Sequence, residues 1–424
     1  MIKQIKLKDL PKETYITFGK LIYDSKGNLV DIKESRELLI EIIQNFTRLS
    51  KNVKSVCKEL RIPRTLIPKI LNYKRKIRLE YLLKILDFLE KNKLQKYTIG
   101  YLEKHIYAIS SLHGRDLKPF IKINGKIERK FPFNFNTIEG IKCLTVPLSD
   151  GYILKSDDEY IRAGYTNSDI ALHEDLIKNM RATFGDISYS QRKIRAAYET
   201  YFIGLLGKIY VECLGFKIGN KVKNDVSFPA CLKSLENPNL IGALVSQFID
   251  DEGHFANDTI DICIVVDKDI PISNNFDRQA YAPNLLKDIK KLLDKINVNS
   301  HFRQPHHYMD KRQNKIKWTY HLQINGFSNI KNLYLYLNII KDVKRRRIQN
   351  YLNRLQEMYN KLNYFNDRLF QVSDITFLFR ISRQSAENYI RTFQRANLIK
   401  LIEKGKYICK NGAVSYEKAK YKLV

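Results

Sequence analysis

The chain is short of acid. Asp and Glu number 45 against 74 Lys and Arg, for a formal net charge of +29 over 424 residues. The cations run along the whole length rather than in one tail. A solubilising surface accounts for part of this; a polyanionic partner accounts for it better, and nucleic acid better than a membrane, since no basic amphipathic anchor stands out. Cysteine is also sparse: Cys57, Cys143, Cys213, Cys231, Cys263 and Cys409 are scattered and form no C-x-x-C pair. That spacing excludes a disulfide framework and reads as reduced, buried cysteine with no zinc site. No apolar run approaches membrane-spanning length, and the first residues, MIKQIKLKDLPKET, lack the apolar core of a signal peptide. The expected setting is cytoplasmic, associated with the nucleoid. A chain of this length holds roughly two to four domains.

Residues 1–100 form an N-terminal region, with a ribbon expected around Tyr15–Val30 and helical periodicity from Ser35. In Ser55–Leu89, the residues Val56, Leu60, Ile62, Leu66, Ile70 and Leu71 fit two short helices joined by a tight turn at Arg61–Pro63. This resembles the helix-turn-helix of phage-repressor-type DNA-binding domains, including the N-x-K-R-K segment that follows. The resemblance places Arg64, Thr65 and Lys69 near bases and phosphates. Pro68 departs from it and fits only near the first turn of its helix. A plain helical bundle has the same apolar pattern. Residues 101–136 read as a connector with some β-structure.

The tail, 356–424, has its own pattern. Val372–Lys410 gives two short helices and a charged hairpin with Gly405 at its tip, and resembles a winged helix. Ser382 caps the second helix, whose apolar face is Ala386, Tyr389, Ile390 and Phe393. Arg383, Gln384, Asn388 and Arg391 face DNA on this reading; a protein-binding winged helix is the other.

Two stretches between these ends share a shape. Leu240–Phe255 reads L-I-G-A-L-V-S-Q-F-I-D-D-E-G-H-F, and Ile138–Tyr152 reads I-E-G-I-K-C-L-T-V-P-L-S-D-G-Y. Each is an apolar helical pattern that ends in a carboxylate and a glycine. Asn136 with Glu139 suggests a capping box for the first helix, and Asn237 with Pro238 a start for the second. Both patterns run about four turns. Each is followed by a strand (Tyr160–Thr166; Thr259–Lys268), a helix (Ser168–Gly185; Asn284–Ile296), a hairpin, and a further helix (one ending at Leu214–Gly215, the other Lys331–Ile340). The order α-β-α-β-β-α thus occurs twice, over 137–235 and 236–355, which indicates an internal duplication.

The clearest strand is KIKWTYHLQI. Ile316, Trp318, Tyr320, Leu322 and Ile324 alternate with Lys315, Lys317, Thr319, His321 and Gln323, so one face is apolar and the other basic and hydrogen-bonding. A solvated face explains such alternation; so does a face that reads base edges and phosphates. Arg303 and the neighbouring loop add cations. His306 and His307 are adjacent and read as surface or DNA-contacting residues rather than as joint ligands of one metal.

These motifs and their order resemble the LAGLIDADG homing endonucleases in their single-chain, two-motif form, over Thr137–Leu355. Val245–Gly253 matches the motif with Glu252 at its acidic position; Cys143–Gly151 matches it with Asp150. The resemblance implies an α+β fold: a duplicated αββαββα core of two saddle-shaped sheets about a pseudo-twofold axis, here flanked by all-α helix-turn-helix and C-terminal winged-helix domains. It implies a monomeric, site-specific endonuclease acting on double-stranded DNA. Asp150 and Glu252 would ligate divalent metal, with Lys268 and Lys344 as basic residues near it and Asn167 as the first-repeat counterpart of Lys268. Oxygen ligands favour Mg²⁺, or Mn²⁺, over zinc, and no Cys/His cluster competes. Arg162, Arg192, Lys193, Arg195, Arg303, Lys315, Lys317, His321 and Gln323 would contact DNA from the sheets.

The chain departs from the family at Pro147 inside the first motif helix, at Thr145 and Gln247 where small residues are usual, and at Leu148. Two other functions suit the same residues. One is a DNA-binding regulator derived from this fold, a class in which the metal carboxylates are typically lost. The other is an RNA-binding maturase, for which plentiful Tyr residues are the only support.

Overall fold

The computed structural model describes residues 4–24, 29–34, 37–72, 76–111, 114–124, 126–156, 161–219, 221–256, 258–267, 278–310, 314–362, 365, 369–395, 398–403, 407–408, 414–415 and 420–423. The chain divides into two compact units, Met1–Gln247 and Phe248–Val424. It is a mixed α+β protein with several antiparallel sheets.

In the first unit, β1 (Tyr15–Tyr23) and β2 (Leu29–Glu34) form the expected ribbon, and β1 also pairs with β3 (Lys76–Arg78) and β4 (Ile106–Ser110). Residues 106–110, within the stretch expected to carry some β-structure, form a strand of the N-terminal sheet. Between the strands lie α1 (Glu37–Leu49), α2 (Val53–Glu59), α3 (Leu66–Asn72), α4 (Leu79–Lys91) and α5 (Ile99–Glu103). Leu39, Ile42, Ile43 and Phe46 of α1 meet Leu82, Ile85 and Leu89 of α4 in the core, with Phe46 and Phe88 edge to face at 5.1 Å. Burying each such side chain stabilises the fold by about 1.5–3 kcal/mol. Arg61 takes a left-handed φ of 52° in the α2–α3 turn, which makes the turn tight without glycine. Pro68 sits in the first turn of α3, where its missing N–H costs nothing. The hairpin β5 (Phe120–Ile123) and β6 (Lys126–Arg129) follows.

Next comes α6 (Ile138–Thr145), then a 3-10 turn at Val146–Leu148, β7 (Gly151–Lys155), β8 (Ile161–Asn167), α7 (Ile170–Phe184), β9 (Tyr189–Ile194), β10 (Ala197–Phe202) and α8 (Gly204–Lys208). The sheet order is β7-β8-β10-β9. Short helices α9 (Lys221–Asn224) and α10 (Ala230–Lys233) lead to α11 (Pro238–Glu252). In the second unit β11 (Gly253–Ala256) and β12 (Thr259–Val266) precede α12 (Arg278–Tyr281), α13 (Asn284–Lys295), β13 (His301–Phe302), β14 (His306–Asp310), β15 (Lys315–Asn325) and α14 (Phe327–Tyr334). The order is β11-β12-β15-β13, with β14 also on β15.

The first run is helix, two strands, helix, two strands and helix; the second follows the same order but adds the short helix α12 before α13 and a third strand after it. The α-β-α-β-β-α reading of the residues lacked the strands at Gly151 and Gly253. Other elements differ in detail. The cap of α6 is Thr137, whose Oγ1 accepts from Gly140 N–H at 3.0 Å, not Asn136. The last helix of the second run starts at Phe327, after Gly326 with φ 86°, rather than at Lys331.

Helix α15 (Asp342–Leu362) runs through the expected boundary at 355. Beyond it α16 (Val372–Phe379) and α17 (Arg383–Arg395) precede β16 (Ile399–Glu403), β17 (Tyr407–Ile408), β18 (Val414–Ser415) and β19 (Lys420–Leu423). The strand at Ile399 pairs with β19, while β17 pairs with β18, so the tail is not one simple hairpin. Gly405 lies outside the described residues. Ser382 caps α17, accepting from Ser385 N–H at 3.2 Å, and Ala386, Ile390 and Phe393 are buried, as the pattern predicts.

Candidate functional site

The two motif helices reach their carboxylates by different routes. Pro147 has no N–H for the carbonyl of Cys143, so α6 stops at Thr145 and the chain tightens into the 3-10 turn. The orphaned Cys143 carbonyl accepts instead from the hydroxyl of fully buried Tyr210, at 2.8 Å. The first helix is therefore shorter than the four turns expected. Helix α11 runs unbroken over 15 residues from its Asn237 start, where Asn237 Oδ1 accepts from Asn239 N–H at 2.9 Å.

Both motif segments, α6 with its 3-10 turn and α11, are followed by a glycine for the same steric reason. A Cβ on Gly151 would lie 2.3 Å from the Val146 carbonyl oxygen; one on Gly253 would lie 2.8 Å from Ile249 Cα. The backbone turns back on its own helix at each point, and only glycine allows that approach.

Asp150, half-buried, precedes Gly151. Asn167 Nδ2 donates to its Oδ2 at 2.6 Å. Behind Asn167 stands buried His173 of α7: its Nε2 is 3.1 Å from the Asn167 main-chain carbonyl and its Nδ1 2.7 Å from Thr200 Oγ1, while Asn167 Oδ1 accepts from Asp169 N–H at 2.9 Å. A helix and two strands thus hold one amide against one carboxylate. The sequence marked Asn167 only as a counterpart position; its contact with Asp150 needed the β7–β8 pairing.

The end of α11 carries Asp250, Asp251 and Glu252, with no basic residue in its own last turn. Negative charge at a helix C-terminus costs about 0.3–1 kcal/mol per group. Two arrangements offset this. Asp250 is buried and accepts from the backbone N–H of Ile340 at 2.8 Å and Lys341 at 2.9 Å. Lys344, in the first turn of α15, donates to the carbonyls of Ile249, Asp250 and Gly253 at 2.6, 2.9 and 2.5 Å. The structure thus gives Lys344 a capping role at the helix end that bears Glu252. Lys268 lies outside the described residues.

On the first sheet Tyr152, Arg162, Arg192, Glu199 and Tyr201 share a face. Glu199 accepts from Tyr152 Oη at 2.8 Å and from Arg192 Nε at 2.7 Å, and Arg162 lies 4.7 Å over the Tyr201 ring. Burial raises the Glu199 pKa, but these two hydrogen bonds and the Arg192 and Arg162 charges outweigh it and leave it lowered. Arg192, Lys193 and Arg195 are exposed, with Arg195 at the β9–β10 turn (φ 54°).

The second sheet differs from the expected base-reading face. Trp318, Tyr320, Leu322 and Ile324 are buried, although Ile316 is 47 % exposed. On the polar face Lys317 pairs with Asp310 at 2.5 Å, and Arg303 is exposed. Lys315 pairs in the backbone register with Asp310. His321, only 6 % exposed, has Nδ1 3.1 Å from both Asp261 oxygens and 3.1 Å from Cys263 Sγ, and Nε2 3.3 Å from His306 Nδ1. Gln323 Nε2 donates to Asp261 Oδ2 at 3.1 Å. The reading that no Cys/His cluster exists is corrected here: donor atoms of His254, Asp261 and Cys263 all lie within 4.8 Å of one another. Burial first, then the Asp261 charge, pushes the Cys263 thiol up to about 12.

At the chain ends Arg64, Thr65 and Lys69 are exposed around the start of α3, and Arg383, Gln384, Asn388 and Arg391 are exposed on α17. Both Arg383 and Arg391 lean on Glu387, at 3.3 and 3.9 Å. No helix among the described residues is long and apolar enough to cross a membrane.

No protein-family profile matches the chain, and no curated protein matches it. Among solved structures it is similar to I-DmoI in complex with DNA and Mn (15 % identity, 48 % of this chain, 98 % of that chain, TM-score 0.30). It is also similar to mesophilic variants of the homing endonuclease I-DmoI (15 % identity, 47 % of this chain, 91 % of that chain, TM-score 0.28). A third likeness is to full-length DUF199/WhiA from Thermatoga maritima (10 % identity, 62 % of this chain, 93 % of that chain, TM-score 0.29). At scores of this size the description of the fold rests on the chain's own elements.

Proposed function

We propose that this protein is a site-specific endonuclease for double-stranded DNA, with Asp150 and Glu252 as ligands to divalent cations. The observation that carries this reading is the repeated one: Asp150, just beyond α6 and its 3-10 turn, and Glu252, at the end of α11, each stand before a glycine whose surroundings leave no room for a Cβ. In α11 the acid stands at the electronegative helix end, where stability alone disfavours it. Groups retained against stability are candidates for function.

The donors suit a hard cation. Both are carboxylates, and Asp150 accepts one amide hydrogen bond that fixes its plane. Bound Mg²⁺ or Mn²⁺ supplies a more acidic water and offsets charge on the phosphate. The chain's own residues do the rest. Asn167, held by His173, orients Asp150; Lys344 holds the end of α11 in place under Glu252. Arg162, Arg192, Lys193, Arg195 and Arg303 supply cations for phosphate contact, and the exposed residues of α3 and α17 extend the footprint as helix-turn-helix and winged-helix modules.

A non-cleaving DNA-binding regulator is the second reading. It is favoured by the break at Pro147 and by the exposed polar and basic faces of α3 and α17. Cleavage selection separates the two. Purified protein is incubated with a randomised duplex library and source genomic DNA, with Mg²⁺ or chelator, and new ends are sequenced. Recurrent Mg²⁺-dependent ends that vanish in Glu252→Gln support the endonuclease. Specific capture of DNA with no new ends supports the regulator.

A further inference from the structure

We propose that His254, Asp261 and Cys263, with His321 as fourth donor, form a site for a zinc-class transition-metal ion on the polar face of the β11–β12–β15 sheet. The site stands independently of the endonuclease reading, since its donors and its metal class differ from those of Asp150 and Glu252.

Sheet register assembles it. His254 and Asp261 are direct partners across β11 and β12, so their side chains share a face. Cys263 lies two residues along β12 and returns to that face. His321 is the direct partner of Cys263 on β15. The donor atoms of His254, Asp261 and Cys263 lie within 4.8 Å of one another, with His254 Nε2 3.9 Å from Asp261 Oδ2 and Asp261 Oδ1 3.8 Å from Cys263 Sγ, and His321 Nδ1 stands beside them at 3.1 Å from Cys263 Sγ, so that small side-chain rotations would close the donors on one ion. Ligand bonds of about 2.0–2.3 Å around one ion place the donors about 3.2–3.7 Å apart.

The donor set selects the ion. A cysteine thiolate, formed as the ion displaces the thiol proton to solvent, and two imidazoles with one carboxylate suit zinc and its neighbours and are poor ligands for Mg²⁺ or Ca²⁺. The surroundings supply the supporting contacts such sites use. His306 Nδ1 lies 3.3 Å from His321 Nε2, and Gln323 Nε2 holds Asp261 Oδ2. Asp261 and His321 are buried, whereas the His254 side chain is 53 % exposed and leaves an entry path. The ion would tie β11, the strand that begins directly after Glu252, to the two central strands of its sheet.

The test uses the full chain, reduced and freed of metal, titrated with Co²⁺ and then with Zn²⁺. One equivalent of Co²⁺ should give a thiolate-to-cobalt charge-transfer band with intense tetrahedral visible bands, bleached by Zn²⁺. Cys263→Ser should abolish the charge-transfer band. His254→Ala, which alters an exposed side chain and leaves the core intact, should weaken Co²⁺ binding by about tenfold or more, as should His321→Gln. No thiolate band in the wild-type chain, or a band that survives in Cys263→Ser, overturns the proposal. Unchanged affinity in His254→Ala also overturns it.

Discussion

The hydroxyl of Tyr210 donates to the carbonyl of Cys143 at 2.8 Å, taking the place of the backbone N–H that Pro147 lacks. The first motif helix is thus broken in its backbone ladder without leaving a buried carbonyl unpaired. Tyr210→Phe removes that donor and should cost about 1–3 kcal/mol in urea unfolding. Pro147→Ala restores an N–H to the same carbonyl. The double variant should therefore lose less than the sum of the two changes, and simple additivity would refute this account of the turn.

Lys344 should matter for the stability of α11 before it matters for chemistry. Its ammonium reaches three carbonyls at a helix end that also bears three acids. Lys344→Met is expected to destabilise the fold by about 1.5–3 kcal/mol, seen as a lower denaturation midpoint with no metal or DNA present. A variant as stable as wild type would remove the capping role.

Asn167 is the residue set to orient Asp150. Under the endonuclease reading, Asn167→Leu should slow Mg²⁺-dependent cleavage by about 10–100-fold and leave DNA affinity nearly unchanged. Single-turnover cleavage and a binding isotherm on one substrate give the two numbers. An equal loss of both would assign Asn167 to DNA contact or to folding instead.

The Glu199 carboxylate gives a pH dependence of known sign. Its folded pKa lies below the ordinary 4.5. The stability it contributes is therefore present above about pH 4.5 and is lost as pH falls through the lower folded value. Glu199→Gln should lower the unfolding free energy at neutral pH and flatten the acid limb of the stability curve below pH 4.5. An acid limb identical to wild type would show that Tyr152 and Arg192 do not hold the ionised form.

Arg162 and Arg192 share the face of the first sheet with Tyr201. If that face meets phosphate, replacing each with Ala should reduce the slope of log K against log salt by about one. Slopes measured on one duplex for wild type and both variants decide it; unchanged slopes place the interface elsewhere.

Much of this was legible before the fold. Asn237 and Pro238 start α11 and Ser382 caps α17, because capping chemistry acts over three or four residues. The alternation of 318–324 identified the buried face of β15, while Ile316 at its start is exposed. What was missed is equally specific. Strands Gly151–Lys155 and Gly253–Ala256 are four or five residues long and begin on the motif glycine, too short to display a period of two. Thr137 took the cap expected of Asn136, whose own N–H bonds to Asn134 Oδ1. The tail strand at Ile399 pairs with Lys420–Leu423 rather than with the nearer Tyr407, a choice that no local signal carries.

By itself the sequence determined the charge, the starts of α11 and α17, the two carboxylate-glycine pairs and the main amphipathic faces. All of these depend on neighbours within one turn or one pleat. The tertiary structure alone decided which atoms meet: Tyr210 with the Cys143 carbonyl, Asn167 with Asp150, Lys344 with the end of α11, and Cys263 with His321. The last two residues are 58 positions apart and are brought within 3.1 Å by strand register. Register is set by which faces the whole sheet buries, and that is a property of the packed core rather than of any segment within it.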